Sequence, residues 1–429
     1  MSLRYKESES MLVRATDIIP LGSQTFSKSK VQFPYGVSPY FIEKGKGSRV
    51  WDIDGNEYID FVNGLLAVFL GYCDPDVDAA VQKQLTQGVI FSLPHKLETE
   101  VAEKIIAMVP CAEMVRFGKN GSDATSGAVR IARAYTGADY IAVCGYHGWQ
   151  DWYIGSTTRS LGVPQTTKDL TLKFQYNDIA SLEALFNQYP NQIAAVILEP
   201  MNIEFPKEDF LKKVKELTHK NNAVLIFDEM ITGFRFAKGG AQELFGVIPD
   251  LVALGKGMAN GFPLSVVAGK REIMKLMEDV FFSFTFGGET LSLAAAKAVL
   301  DKISSQPIIE TMHQRGNDLI VKLESLLKKH ELNEIIQIAG HPVWSFLIFK
   351  DSKSYSSWDI KTFWMQEILA RGIISFGSHN ISYAHSNEDV EQILIVYDEV
   401  FERLTEHLNN NSLLKALHCE VLQPLFKVR

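Results

Sequence analysis

Residues 223–257 read Ala-Val-Leu-Ile-Phe-Asp228-Glu-Met230-Ile-Thr-Gly-Phe-Arg235-Phe-Ala-Lys-Gly-Gly240-Ala-Gln-Glu-Leu-Phe-Gly-Val-Ile-Pro-Asp250-Leu-Val-Ala-Leu-Gly-Lys256-Gly. Two uncharged apolar runs stand out, Ala223–Phe227 and Leu251–Leu254. Both are short enough for strands buried on two faces and bounded by turn residues. Asp228 follows the first run at once, and Lys256, flanked by glycines, follows the second. A carboxylate at the end of an apolar strand is costly unless a cation or donor meets it. A lysine in such a place is a candidate Schiff-base nucleophile. Read singly, Asp228 could equally cap a turn and Lys256 could lie in an ordinary surface loop.

Outward from this stretch the same pattern repeats. Met114–Phe117, Tyr140–Cys144 and Ile193–Leu198 are further short apolar runs, and Phe210, Leu211, Val214 and Leu217 mark an amphipathic helix before the fourth strand. Strands alternating with helices predict an α/β fold with a mostly parallel central sheet. Nearer the start, Arg49–Ile53 and Glu57–Phe61 flank Asp54-Gly55, a hairpin signal. Asp74-Pro75 opens a helix with Val77, Ala80, Val81 and Leu85 on one face and Gly88 beyond its end. Ser386-Asn-Glu-Asp389 reads as a capping box before Val390, Ile393, Leu394, Tyr397 and Phe401. The predicted organisation is residues 1–65 as an N-terminal segment joining a small α+β domain, 66–305 as the large domain, and 306–429 as the C-terminal small domain.

Composition narrows the function. Apolar residues make up 46% and charged residues 22% of the 429, ordinary globular usage. Lys plus Arg number 43 against 51 Asp plus Glu, a net charge of −8, so no overall positive field exists to attract nucleic acid or anionic lipid. Cys73, Cys111, Cys144 and Cys419 are dispersed without metal-ligand spacing, which predicts neither a metal site nor a disulfide framework and suits a reducing cytoplasm. The first ten residues alternate in charge, and no apolar run approaches the roughly 18 residues of a membrane span, so neither secretion nor insertion is expected.

In open parallel sheets ligands bind beyond the carboxyl ends of the strands. There the sequence places Gly118-Lys-Asn-Gly121-Ser122, Gly145-Tyr146-His147-Gly148, Glu199-Pro200, Asp228-Glu-Met230 and Gly255-Lys256-Gly257. Gly121-Ser122 opens a helix built on Ala124, Ala128 and Ala132, and a helix N-terminus offers free N–H groups to an anion, although an ordinary glycine turn reads the same way. Tyr146 and His147 could equally be core aromatics. Taken together, a phosphate cradle, an aromatic plate, a carboxylate and a lysine are the partners that pyridoxal phosphate (PLP) needs. No GxxxxGK[ST] is present, and residues 255–261 have the wrong spacing for GxGxxG.

These residues resemble the class III aminotransferases of PLP fold type I, in the subgroup around glutamate-1-semialdehyde aminomutase. The matching stretches include residues 50–60, Asn120-Gly-Ser-Asp-Ala-Thr125, Arg130–Gly137, Tyr146-His-Gly148, Ala194–Pro200, and the run from Leu225 to Lys256, with 28 positions from Asp228 to Lys256 as the family pattern expects. The resemblance implies Lys256 as the Schiff-base lysine and proton shuttle, Asp228 on the pyridine nitrogen, and Gly121 and Ser122 on the phosphate. It further implies Tyr146 stacked on the ring beside His147, Met230 on the other face, and Glu199 on the 3-oxygen side. Thr285 would reach the phosphate of the neighbouring subunit's cofactor, which implies a homodimer with shared sites.

Two segments depart from the aminomutase. Its Asn-Ser-Pro-Val-Arg is replaced by Gln24-Thr-Phe-Ser-Lys28-Ser-Lys30, and Phe376–His385 is shorter and lacks glutamate. Lys28, Lys30, His379 and Asn380 are therefore the expected substrate residues. A polar rather than strongly cationic lining predicts an aminotransferase with an amino-acid donor and a carbonyl acceptor such as an oxo-sugar. The rivals are the aminomutase itself, a racemase, and a non-catalytic PLP-binding regulatory protein, which Lys256 argues against.

Overall fold

The computed structural model describes residues 3–352 and 354–424. Contacts divide the chain into one unit from 1–74 with 310–425 and another from 75–309. The larger unit holds β1 (Met114–Gly118), β2 (Tyr140–Cys144), β3 (Thr171–Lys173), β4 (Ile193–Leu198), β5 (Val224–Asp228), β6 (Leu251–Leu254) and β7 (Ser265–Gly269). They form one sheet in the order β1-β7-β6-β5-β4-β2-β3. β6, β5, β4, β2 and β3 run parallel, whereas β7 is antiparallel to both β1 and β6. Every residue of β4, β5, β6 and β7 is buried, as expected where helices cover both faces of a sheet.

Four helices of this unit are α1 (Pro75–Leu85), α2 (Gly121–Thr136), α3 (Phe210–Lys220) and α4 (Thr290–Ser305). Ala124, Ala128 and Ala132 of α2 are fully buried in the cluster with Ile141, Ala195, Ile226 and Ala253, so small side chains bring α2 close against the sheet. In α3 the buried face is Phe210, Leu211, Val214 and Thr218. In α1 only Val77 of the four expected apolar positions is buried, and Leu85 lies 57% exposed.

In the smaller unit, Ile42–Lys46, Arg49–Asp52 and Glu57–Asp60 form an antiparallel sheet that Ile373–Ile374 extends in parallel. Asp54, in the hairpin turn, accepts the Glu7 and Ser8 N–H groups at 2.7 and 2.9 Å and so caps the helix Lys6–Ile18. A second sheet pairs Ile336–His341, Trp344–Phe349 and Ser378–Asn380. Helix Asn387–Asn409 is capped by Ser386 and Asp389, and its Val390, Ile393, Leu394, Tyr397 and Phe401 are buried. The units divide at 74/75 and 309/310 rather than at 65/66 and 305/306. The strand bridge from Gly47 to Tyr72, the Tyr383 N–H to the Phe69 carbonyl, and the Tyr72 hydroxyl on Asp60 hold residues 69–72 to the smaller unit.

Candidate active site

β5 ends on Asp228 and β6 ends two residues before Lys256, and Asp228 is in register with Ala253, so adjacent parallel strands deliver both groups to one sheet edge. Asp228 is 4% exposed. His147 Nδ1 stands 2.8 Å from its Oδ2, and the Met230 N–H donates to Oδ1 at 3.2 Å. His147 is itself buried, with Nε2 3.2 Å from the Cys144 carbonyl, so its ring is held from both sides and fixes the carboxylate. Lys256 has φ of 45°, a left-handed backbone uncommon for a residue with a Cβ and of the kind that clusters at functional sites.

Beyond β1, α2 begins at Gly121, and its first N–H groups have no acceptor within the helix. Asp123 folds back so that the Lys119 and Asn120 N–H groups donate to its Oδ2 at 3.0 and 2.7 Å. The turn is also stitched to the segment after β2. Thr125 Oγ1 donates to the His147 carbonyl at 2.8 Å, the Trp149 N–H to Ser122 Oγ at 3.1 Å, and Trp152 Nε1 to Ser126 Oγ at 2.9 Å. Gly145 and Gly148, both at φ of 105°, bracket Tyr146-His147; a Cβ at either would collide with Glu199 or Ser122. This double bend turns His147 inward and leaves Tyr146 41% exposed. Burial, and then the negative charges of Asp228 and Glu199, raise the Tyr146 phenol above its ordinary pKa. Its ring stays neutral and available as a stacking surface.

Glu199 accepts the Tyr146 N–H at 2.9 Å and the Asn202 amide at 2.9 Å. Beside it opens a cavity of about 340 Å³ lined by Cys144, Gly145, Tyr153, Phe174, Tyr176 and Asn202 among others. Met230 lies close to Gly121 and Gly255, its sulfur 3.0 and 2.8 Å from where their Cβ atoms would stand. The larger unit thus brings together Gly121, Ser122, Tyr146, His147, Glu199, Asp228, Met230 and Lys256. A phosphate suits the α2 N-terminus, a flat ring suits Tyr146, and a protonated ring nitrogen suits Asp228, so the residues fit pyridoxal phosphate.

The other expected positions fare differently. Thr285 lies exposed in the segment before α4. Lys28 is exposed and Lys30 partly buried in the smaller unit. His379 is corrected: the protein itself takes up both of its ring nitrogens. His379 is fully buried, with Nδ1 2.9 Å from Ser345 Oγ and Nε2 2.9 Å from the Tyr397 hydroxyl. Asn380 is buried and donates to the Val62 carbonyl at 2.8 Å. Closure of His379 by Ser345 and Tyr397 removes its support for an oxo-sugar acceptor.

Sequence reading assigned nothing to Glu229, which is fully buried and accepts from Thr232 Oγ1 (2.8 Å), the Ala241 N–H (2.5 Å), the Gln242 N–H (3.1 Å) and Gln242 Nε2 (3.0 Å). It fastens Gly240-Ala-Gln242 behind the Asp228 strand end. The adjacent carboxylates in Asp228-Glu229 were the available signal.

Residues 32–408 match the family model for class III aminotransferases. A 3-aminobutyryl-CoA aminotransferase of Cloacimonas acidaminovorans is 33% identical over 398 residues, covering 90% of this chain and 95% of that protein. A glutamate-1-semialdehyde 2,1-aminomutase of Persephonella marina is 34% identical over 397 residues, covering 86% and 92%. Among solved structures, the PLP internal aldimine form of the Sphingopyxis sp. MTA144 FumI protein matches with a TM-score of 0.89 at 28% identity, covering 97% of this chain and 99% of that one. With the site's fit to the cofactor, these likenesses show that the chain belongs to the class III aminotransferases, PLP-dependent enzymes of fold type I.

Proposed function

We propose that this enzyme carries an amino group from an amino-acid donor to a carbonyl acceptor, as a cytoplasmic homodimer with Lys256 and Asp228 as its catalytic residues. One observation carries the reading: adjacent parallel strands end on Asp228 and two residues before Lys256, on the edge that also holds the α2 N-terminus and the open Tyr146 ring. Bound PLP supplies an electron sink for the pair left behind when a proton leaves the amine-bearing carbon. Lys256 Nζ takes that proton and hands it on. Asp228, oriented by His147, keeps a proton on the ring nitrogen, without which the sink is weak. The Gly121 and Ser122 N–H groups would bind the phosphate, and Tyr146 and Met230 would pack on the ring. Glu199, held by Tyr146 and Asn202, would serve the ring's 3-oxygen.

Thr285 is exposed on its own chain, which supports its serving the cofactor phosphate of a second copy. Lys28 and Lys30 remain the candidates for substrate contact. The cytoplasmic assignment rests on the four cysteines, none of them in a disulfide; no helix among the described residues is long and apolar enough to cross a membrane.

Borohydride reduction of the holoenzyme followed by peptide mass mapping should fix the cofactor on Lys256 alone, and Lys256→Ala should abolish turnover. A label on Lys270 or another lysine overturns the assignment. A donor panel then separates the chemistries. Amino acids should convert the enzyme to its pyridoxamine form, and a carbonyl acceptor, oxo-sugars included in the panel, should reverse it. Conversion of glutamate-1-semialdehyde to 5-aminolevulinate at an ordinary rate without added donor would make the enzyme an aminomutase instead.

A further inference from the structure

Lys119 lies between β1 and the Asn120 cap of α2, one residue before the turn that faces the phosphate. Its Nζ is 2.8 Å from Glu289 Oε2 and 3.3 Å from Ser292 Oγ, and the two charged side chains are only 14% and 13% exposed. Glu289 is also the N-cap of α4, accepting the Leu291 and Ser292 N–H groups at 2.6 and 3.2 Å. Burial opposes its ionisation, but the Lys119 ammonium, the Ser292 hydroxyl and the Leu291 amide outweigh it and hold the carboxyl below its usual range.

The segment leading to Glu289 is anchored at its other end as well. Arg130 Nη1 donates to the Phe281 carbonyl at 2.7 Å and Arg116 Nη2 to the Phe282 carbonyl at 3.1 Å. Phe282 fills the space where a side chain at Gly127 would stand. Residues 281–289, Thr285 among them, are therefore held to β1 and α2 at one end and to Lys119, between those two elements, at the other. We propose that the Lys119–Glu289 ion pair is a positioning pair that holds the first turn of α2 and the Thr285 segment in phosphate-binding geometry. The pair acts through the backbone, because the Lys119 ammonium is directed at Glu289 and Ser292. This inference rests on the proposals that Gly121 and Ser122 take the cofactor phosphate and that Thr285 serves the phosphate of a second copy.

The test compares PLP with pyridoxal, which has the same ring and no phosphate. Full-length enzyme stripped of cofactor is titrated with each, as wild type, Lys119→Met, Glu289→Gln and the double variant, with thermal melts of the stripped proteins alongside. Loss of a charge-assisted contact should raise the PLP dissociation constant about tenfold in either single variant and no further in the double variant. Pyridoxal binding should stay within about twofold, and Lys119→Arg should restore PLP affinity. Unchanged PLP binding, or equal weakening of PLP and pyridoxal, overturns the positioning role. Wild-type protein that binds neither compound would instead overturn the reading of the site itself.

Discussion

At the edge of the large sheet His147 is buried against Asp228 while the residue before it, Tyr146, stays open; in the smaller unit His379 and the residue after it, Asn380, are both buried. Both pairs follow or form a strand end, and both mix an imidazole with a polar or aromatic neighbour. At the first, the protein's hydrogen bonds orient a carboxylate that keeps accepting capacity for a ligand. At the second, the imidazole's hydrogen bonds close on the protein itself, through Ser345 and Tyr397. Burial pushes His379 down to about 3, and His385 and His341 of the same unit down to about 4 and about 3. The contrast separates polar residues grouped at an open strand edge from polar residues used to close a core.

The strongest way to break this contrast is Asp228→Asn, which preserves shape and removes the charge. Turnover should fall about ten-thousandfold, roughly 5.6 kcal/mol at about 1.4 per tenfold, with little change in melting temperature. Near-normal kcat in that variant would take Asp228 out of the chemistry.

Acid should act on the other side of the comparison. The folded chain keeps His341, His379 and His385 neutral down to about 3 or 4, whereas in the unfolded chain they take up protons below about 6.5. The unfolded state then binds more protons, so stability falls as pH falls, by up to about 4 kcal/mol per unit while all three differ. Equilibrium unfolding followed from pH 7 to 4 should show this loss, and a flat profile would mean that these histidines are not buried neutral.

His379→Ala should cost about 3 kcal/mol of stability, since it leaves a cavity and strands the Ser345 and Tyr397 hydroxyls. The folded fraction should keep kcat/KM within about twofold, a result that sharpens the contrast; a large loss of kcat/KM at unchanged stability would return His379 to the substrate site.

The smallest effect is expected at Tyr146. Tyr146→Phe keeps the ring face and should bind PLP like wild type, whereas Tyr146→Leu should weaken it by about 1 kcal/mol, or roughly fivefold, in a cofactor titration. Equal losses in both would assign the role to the hydroxyl instead of the ring.

Much of the site is legible in the sequence because its determinants are local. An apolar run that ends on Asp228 predicts a buried strand and a strand-end carboxylate together, and Gly121-Ser122 ahead of Ala124, Ala128 and Ala132 predicts both a helix and its exposed N–H groups. Sheet order and direction are less accessible. Ser265–Gly269 follows the Lys256 turn so closely that no crossover helix fits between, and it joins as an antiparallel strand. Thr171–Lys173 is too short to carry an alternation.

Only tertiary structure decided which polar groups the protein closes off and which stay open. The closure of His379 is invisible locally, because Ser345 and Tyr397 come from a strand and a helix distant from it in the sequence. The same holds for Lys119 and Glu289, which meet although 170 positions separate them. The sequence by itself determined five of the seven strands of the large sheet and the start of α2, since backbone preference and side-chain period act over a few residues. Burial depends on what covers a residue, and that is set by contacts between distant segments.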